Sequence, residues 1–236
     1  QVMHYLNGMC HLPSARMEYV MCYFRPENKF PERVFGGFAR DLKNVQGCSV
    51  DAFSFIPYTT FSLNSRLPDG WSLEESSPFD LWELNRFYSH HSGGLLLSAL
   101  GVDQGDPDSE SLEETFSHFG FVRKRKAHSL IYRGELYAVL IVNQSDLGFN
   151  LSELLNGIKI LVTDVEGLPW EILSSAISQL IGVYRTDRVP VLFYPLDYVE
   201  LKNIPYEKRY KAWVLNLQFG NEYLEYMHRK FRTGYQ

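Results

Sequence analysis

The chain has 236 residues, 45% of them hydrophobic and 22% charged, enough to bury a sizeable core as one large domain or two small ones. Its formal net charge of −5 excludes a dedicated nucleic-acid binder, because phosphate neutralisation needs a basic surface. No apolar run approaches the roughly 20 residues needed to cross a bilayer, and the N-terminus lacks a signal-peptide pattern, so no membrane partner is expected.

The three cysteines, Cys10, Cys22 and Cys48, are odd in number and lack CxxC spacing, which argues against a disulfide framework and for a reducing, cytoplasmic setting. Cys10 with His4 and His11 is a weak metal candidate, since the spacing fits no standard zinc pattern. The 15 Tyr and 16 Phe suit thick packing around a sheet or an aromatic-lined pocket.

In chain order, Val20 to Tyr58 reads as strand, loop, helix and strand, with Val34, Phe35, Phe38, Ala39 and Leu42 as the apolar stripe of the helix. Gly36 and Gly37 fall inside that helix at about 1 kcal/mol each relative to Ala, so either close packing or ligand approach should compensate. A Ser/Pro/Gly-rich connection with a short strand at Trp71 to Glu74 follows and marks the expected lobe boundary, with residues 1–68 before it and 69–236 after it. Ser77 and Pro78 form a cap and first turn with Asp80 favouring the dipole, and Leu81, Leu84, Phe87 and Tyr88 form a buried stripe.

His90 and His91 stand at that helix's end, where a cationic ring complements the dipole. Leu95 to Leu100 resumes an apolar segment ending at Gly101. An acidic tract then leads to a short helix with Leu112 and Phe116 inward, and a hairpin turns at Arg133-Gly134, Tyr137 to Val142 being apolar on both faces. The cluster Arg123 to Lys126 reads as a solvated strand start or a phosphate contact, His128 as a surface or inter-strand residue. Ser145-Asp146 and Ser152-Glu153 either cap turns or bind a polar group.

Ile158 to Leu196 repeats the first unit without a gap, pairing Pro31 with Pro169, Leu42 with Leu180, Val45 with Val183, Phe55 with Phe193 and Pro57 with Pro195. Ile172, Leu173, Ala176, Ile177 and Leu180 carry its helical stripe. A strand to Leu217 and a closing helix with Tyr223, Leu224, Met227 and Phe231 inward complete the chain. The order predicts an α/β fold with a mixed sheet rather than a plain doubly wound one. Because the first repeat starts in what reads as the middle of a fold, further domains of a longer chain are expected.

This order, with Tyr206-Glu207-Lys208-Arg209-Tyr210 before a strand and with the hairpin feeding Ile158 to Thr163 and the helix after Pro169, resembles the GCN5-related N-acetyltransferase (GNAT) superfamily from about Trp71 onward. The N-terminal β-α-β unit resembles a truncated second lobe, a tandem arrangement. The resemblance implies transfer of an acyl group from acetyl-CoA, or another acyl-CoA, to a small-molecule or peptide amine by direct attack. The alternative is a catalytically silent GNAT-like module that binds a ligand or partner within a larger regulatory protein.

The resemblance assigns Tyr206 as the acid that protonates the departing thiolate, beside the reading of a tyrosine that packs its segment. Asp164 and Glu166 stand where the family places a base, beside the reading of solvated loop carboxylates. Backbone at Val165, Gly167, Leu168 and Trp170 falls on the pyrophosphate loop, but this loop carries two carboxylates and Pro169 in place of the family's Arg/Gln-x-x-Gly-x-Gly/Ala. Each carboxylate opposes a pyrophosphate by ~1 kcal/mol or more at close range. The loop of the first repeat has Arg25, Lys29 and Arg33 around it and suits anions better.

Overall fold

The computed structural model of the chain describes residues 18–58, 66–102, 110–145, 156–184 and 190–232. Cys10, His4, His11, Asp146, Ser152, Glu153 and the side chains of Leu112 and Phe231 lie outside what it describes. The strands are β1 (Tyr19–Phe24), β2 (Cys48–Pro57), β3 (Trp71–Glu75), β4 (Arg123–Tyr132), β5 (Glu135–Ser145), β6 (Gly157–Val162), β7 (Val191–Pro195) and β8 (Lys208–Asn216). The helices are α1 (Lys29–Pro31), α2 (Gly37–Leu42), α3 (Pro78–Ser92), α4 (Leu95–Leu100), α5 (Glu110–Ser117), α6 (Trp170–Leu180), α7 (Leu196–Leu201) and α8 (Gly220–Arg232), with a π-helical turn at Glu32–Gly36 joining α1 to α2.

Two compact units divide the chain. The first holds the described residues up to Asp51, Arg86–Gly101 and those from Tyr210 onward; the second holds the described parts of Ala52–Asn85 and Val102–Arg209.

In the first unit the strand order is β1-β8-β2, β1 running antiparallel to β8 from Tyr19 opposite Asn216 to Phe24 opposite Lys211. The core collects Phe24, Val34, Phe38, Cys48, Trp213, Leu215, Tyr223 and Tyr226. The helical stripe read from the sequence packs as expected, Val34 and Phe38 buried and Phe35, Ala39 and Leu42 against them. Tyr226 was not legible as an inward residue of α8, yet its hydroxyl donates to the Arg33 carbonyl at 2.7 Å. A Cβ on Gly37 would meet that hydroxyl, which resolves the glycine in favour of close packing. Burial pushes the Cys22 thiol up to about 11 and that of Cys48 up to about 12, so neither is a ready nucleophile at neutral pH.

In the second unit the order is β2-β7-β6-β5-β4-β3. The hairpin turns where the sequence places it, Arg133 and Gly134 both adopting positive φ (52° and 89°), the requirement of a two-residue turn whose twist matches the strands. Ser77 and Asp80 exchange reciprocal bonds at the start of α3, Asp80 N–H to Ser77 Oγ at 3.2 Å and Ser77 N–H to Asp80 Oδ2 at 2.8 Å. β5 is flanked by antiparallel β4 and β6, which explains its apolar residues on both faces. β6 and β7 run parallel among otherwise antiparallel neighbours, so the sheet is mixed as expected. Their core joins Ile158, Ile160 and Val162 of β6 and Leu192 and Tyr194 of β7 to Leu168, Ile172, Leu173, Ala176 and Ile177 around α6.

Candidate functional site

Two neighbouring strands of the second unit pair only at one end. The parallel ladder of β6 and β7 comprises Gly157 with Val191, Ile158 with Leu192 and Lys159 with Phe193, and no further pair joins them among the described residues. A Cβ on Gly157 would fall on the Val191 carbonyl oxygen, so glycine is what lets the two backbones close at this end. Ile160 to Val162 and Tyr194 to Pro195 continue past the last pair. Pro195 contributes no N–H to either side.

The turn that leaves β6 folds back on itself. Asp164 Oδ1 accepts the Gly167 N–H at 2.8 Å and the Asp164 carbonyl accepts the Leu168 N–H at 3.1 Å. A side chain on Gly167 would push the Asp164 carboxylate out of this position. A carboxylate of the chain therefore sits on an amide that a phosphate-cradling loop would offer to its ligand. Two side chains of α7 and its C-terminal turn hold the same loop through its carbonyls: Lys202 Nζ donates to Glu166 O at 2.8 Å and Tyr198 OH to Leu168 O at 3.2 Å.

Of the candidate residues, Asp164, Val165, Glu166, Gly167, Leu168 and Trp170 lie together at this turn and the start of α6. Asp164, Glu166 and Gly167 are exposed, Val165 and Trp170 half-buried and Leu168 buried. Tyr206 belongs to the same unit and packs half-buried on the same core. Its local setting differs from the motif: α7 ends at Leu201, Tyr206 lies in the following link, and Lys208 already opens β8. The Tyr206 hydroxyl stands 3.5 Å from Glu200 Oε1, and the next amide, Glu207 N–H, bonds to Phe55 O at 3.2 Å.

Arg25, Lys29 and Arg33 belong to the first unit and are exposed. Arg25 lies 3.8 Å from Glu27, and Asn28 caps α1 by accepting the Phe30 N–H at 3.3 Å. His90 Nδ1 lies 2.8 Å from the Arg86 carbonyl one turn back, as suits a histidine at a helix end. His128, opposite Glu75 on β3, has its pKa lowered by burial. Lys124 and Lys126 of the basic cluster pair with Glu113 (2.7 Å) and Glu75 (3.6 Å), and Arg123 lies over the Phe116 ring.

Three residues escaped the sequence reading: Lys202, Tyr198 and Tyr194. Tyr194 is wholly buried, its ring centroid 5.4 Å from that of Trp170. In an apolar run such as Val191-Leu192-Phe193-Tyr194 a tyrosine reads as core, and only an account of its hydroxyl separates it from a phenylalanine.

Among the described residues no helix is long and apolar enough to cross a membrane, and no group of three or more His, Cys, Asp or Glu could hold a metal ion. No protein-family model matches the chain, and no curated protein matches it in sequence. Among solved structures it is similar to a Drosophila protein determined as a structural-genomics target, at 15% identity and a TM-score of 0.41 over 78% of this chain. It is also similar to a GCN5-related N-acetyltransferase from Anabaena variabilis, at 9% identity and a TM-score of 0.37 over 92% of this chain. The chain spans 58% and 49% of the lengths of those two proteins.

Proposed function

We propose that the chain is a GNAT-like N-acyltransferase whose second unit takes an acyl group from acetyl-CoA, or another acyl-CoA, and passes it to a small-molecule or peptide amine. The observation that carries this reading is the parallel pair β6 and β7, which closes over three residue pairs and then stops pairing at the end from which β6 leads, through the Asp164 turn, to α6. Unpaired strand edges accept an extended, amide-bearing chain through backbone hydrogen bonds. The order from β3 to β8, with its central hairpin, supports the same reading.

In this reading the amine nitrogen attacks the thioester carbonyl carbon, and the carbon–sulfur bond breaks. Asp164 or Glu166 takes the ammonium proton, directly or through water, and the Tyr206 phenol protonates the leaving thiolate. Arg25, Lys29 and Arg33 offer anion contacts in the first unit. The tandem division into a partial lobe, residues 1–68, and a complete one, residues 69–236, belongs to the same proposal.

A second reading is favoured by one specific bond, Gly167 N–H to Asp164 Oδ1. A loop whose amide is already held by its own carboxylate suits a catalytically silent, ligand- or partner-binding module.

Calorimetry with acetyl-CoA, combined with thiol release in the presence of a panel of amines, separates the two. The enzyme reading expects binding and turnover by the wild type. It also expects roughly tenfold tighter binding by Asp164→Ala, which frees the amide and removes a like charge. Absence of binding by both proteins at millimolar acetyl-CoA defeats the enzyme reading, and binding without turnover favours the silent module. Binding abolished by Arg33→Ala and indifferent to position 164 moves the anion site to the first unit.

A further inference from the structure

β1 is the last strand of its sheet, with β8 on one side and, among the described residues, no strand on the other. The offset that pairs Pro31 with Pro169 carries Tyr19–Phe24 onto Gly157–Val162, so β6 is its counterpart in the second repeat. There the side away from β7 is covered along its whole length by antiparallel β5, from Gly157 opposite Asn143 to Val162 opposite Ala138. The first repeat thus presents an edge whose equivalent is paired.

That edge is also undefended. Edge strands are normally blunted by charge, proline or a bulge, because their outer backbone groups recruit other strands. β3, the last strand of the second unit, is blunted in this way: it is five residues long and ends in the exposed Glu74 and Glu75, with Lys126 3.6 Å from Glu75. β1 reads Tyr-Val-Met-Cys-Tyr-Phe, without a charge or a proline, and it pairs with β8 residue for residue. Its charges stand just outside it, Glu18 before and Arg25 after, both exposed.

We infer that the outer edge of β1 pairs antiparallel with β1 of a second copy of the chain, joining two first units across a two-fold axis. Antiparallel alignment brings Glu18 of each copy to the Arg25 end of the other, so opposite charges meet at both ends and none lies between them. A parallel alignment would set like charges together at each end, which is destabilising. The flanking charges therefore select the direction, and the strand is its own complement. Arg25 keeps an exposed contact with Glu27 at 3.8 Å, too loose to hold it from a second acid.

Sedimentation velocity of the whole chain between roughly 10 μM and 1 mM should show a monomer–dimer equilibrium. Glu18→Arg and Arg25→Glu should each weaken dimerisation about tenfold, because each makes both ends repulsive, and the double variant should recover wild-type affinity. Net charge cannot imitate this pattern, since from −5 the first variant moves toward zero and the second away from it. All three variants should melt as the wild type does, both side chains being exposed. A chain that stays monomeric throughout overturns the inference and leaves the edge to a strand of another protein. A dimer insensitive to both reversals, or one that the double variant fails to recover, also overturns it, because another surface then holds the copies together.

Discussion

The two β-α-β repeats carry the same sequence pattern and solve opposite packing problems. In the second, β6 and β7 lie side by side and parallel, and Gly157 yields its Cβ so that the Val191 carbonyl can approach. In the first, β8 lies between β1 and β2, and the close approach occurs on the helix instead, where Gly37 yields to the Tyr226 hydroxyl. The alternation of apolar residues specifies strand, helix and strand in both cases. It does not specify which strands become neighbours, because that depends on an element far away in sequence.

The contrast can be broken by putting side chains where each repeat relies on having none. The largest effect is expected from Gly157→Val, whose branched side chain would occupy the space of the Val191 carbonyl. It should cost about 3 kcal/mol or more by chemical denaturation, or prevent recovery of folded protein. An unchanged denaturation midpoint would show that β6 and β7 close without this contact.

Gly37→Ala should cost about 2 kcal/mol, because the new methyl group displaces the Tyr226 hydroxyl from the Arg33 carbonyl. Adding Tyr226→Phe relieves the crowding, so the double variant should lose less than the sum of the single losses. Strict additivity in that cycle would show the two residues to be uncoupled.

The smallest effect concerns Glu32, at the start of the π-helical turn. Burial opposes its ionisation, but Arg40 at 2.8 Å and Lys211 at 3.0 Å outweigh this and hold the carboxyl below its usual range. A carboxyl depressed by folding stabilises the protein above its unfolded pKa, and that stabilisation is lost as pH falls through the folded value. Glu32→Gln should therefore cost about 1 kcal/mol at neutral pH, with the two denaturation curves converging in acid below the carboxylate range. A pH-independent difference between them would refute the electrostatic account.

Local chemistry was the most legible part of the sequence. Arg133-Gly134 announced its turn, Ser77-Pro78 with Asp80 announced its helix start, and the stripe from Ile172 to Leu180 announced the buried helix. The π-helical turn was hidden because one extra residue per turn hardly disturbs an apolar stripe over so short a span. The placement of β8 was hidden because nothing in Lys208–Asn216 names its neighbours.

The candidate site shows the same division. The carboxylates of Asp164 and Glu166 were visible as a conflict with phosphate binding, and the structure gives that of Asp164 a partner of its own in the Gly167 amide. Tyr194 stayed invisible because alternation on a strand records burial and says nothing about whether a hydroxyl has found a bond.

The position of β8 also sets the order in which the polypeptide can finish its work on the ribosome. Tyr19 waits for Asn216, and at about 5–20 residues per second that delay is roughly 10–40 s. Throughout it β1 has no partner from β8, while the hairpin of β4 and β5 can close as soon as it emerges. A nascent chain halted before Lys208 leaves Tyr19–Phe24 as an open strand edge, the kind of surface on which chaperones and aggregation compete.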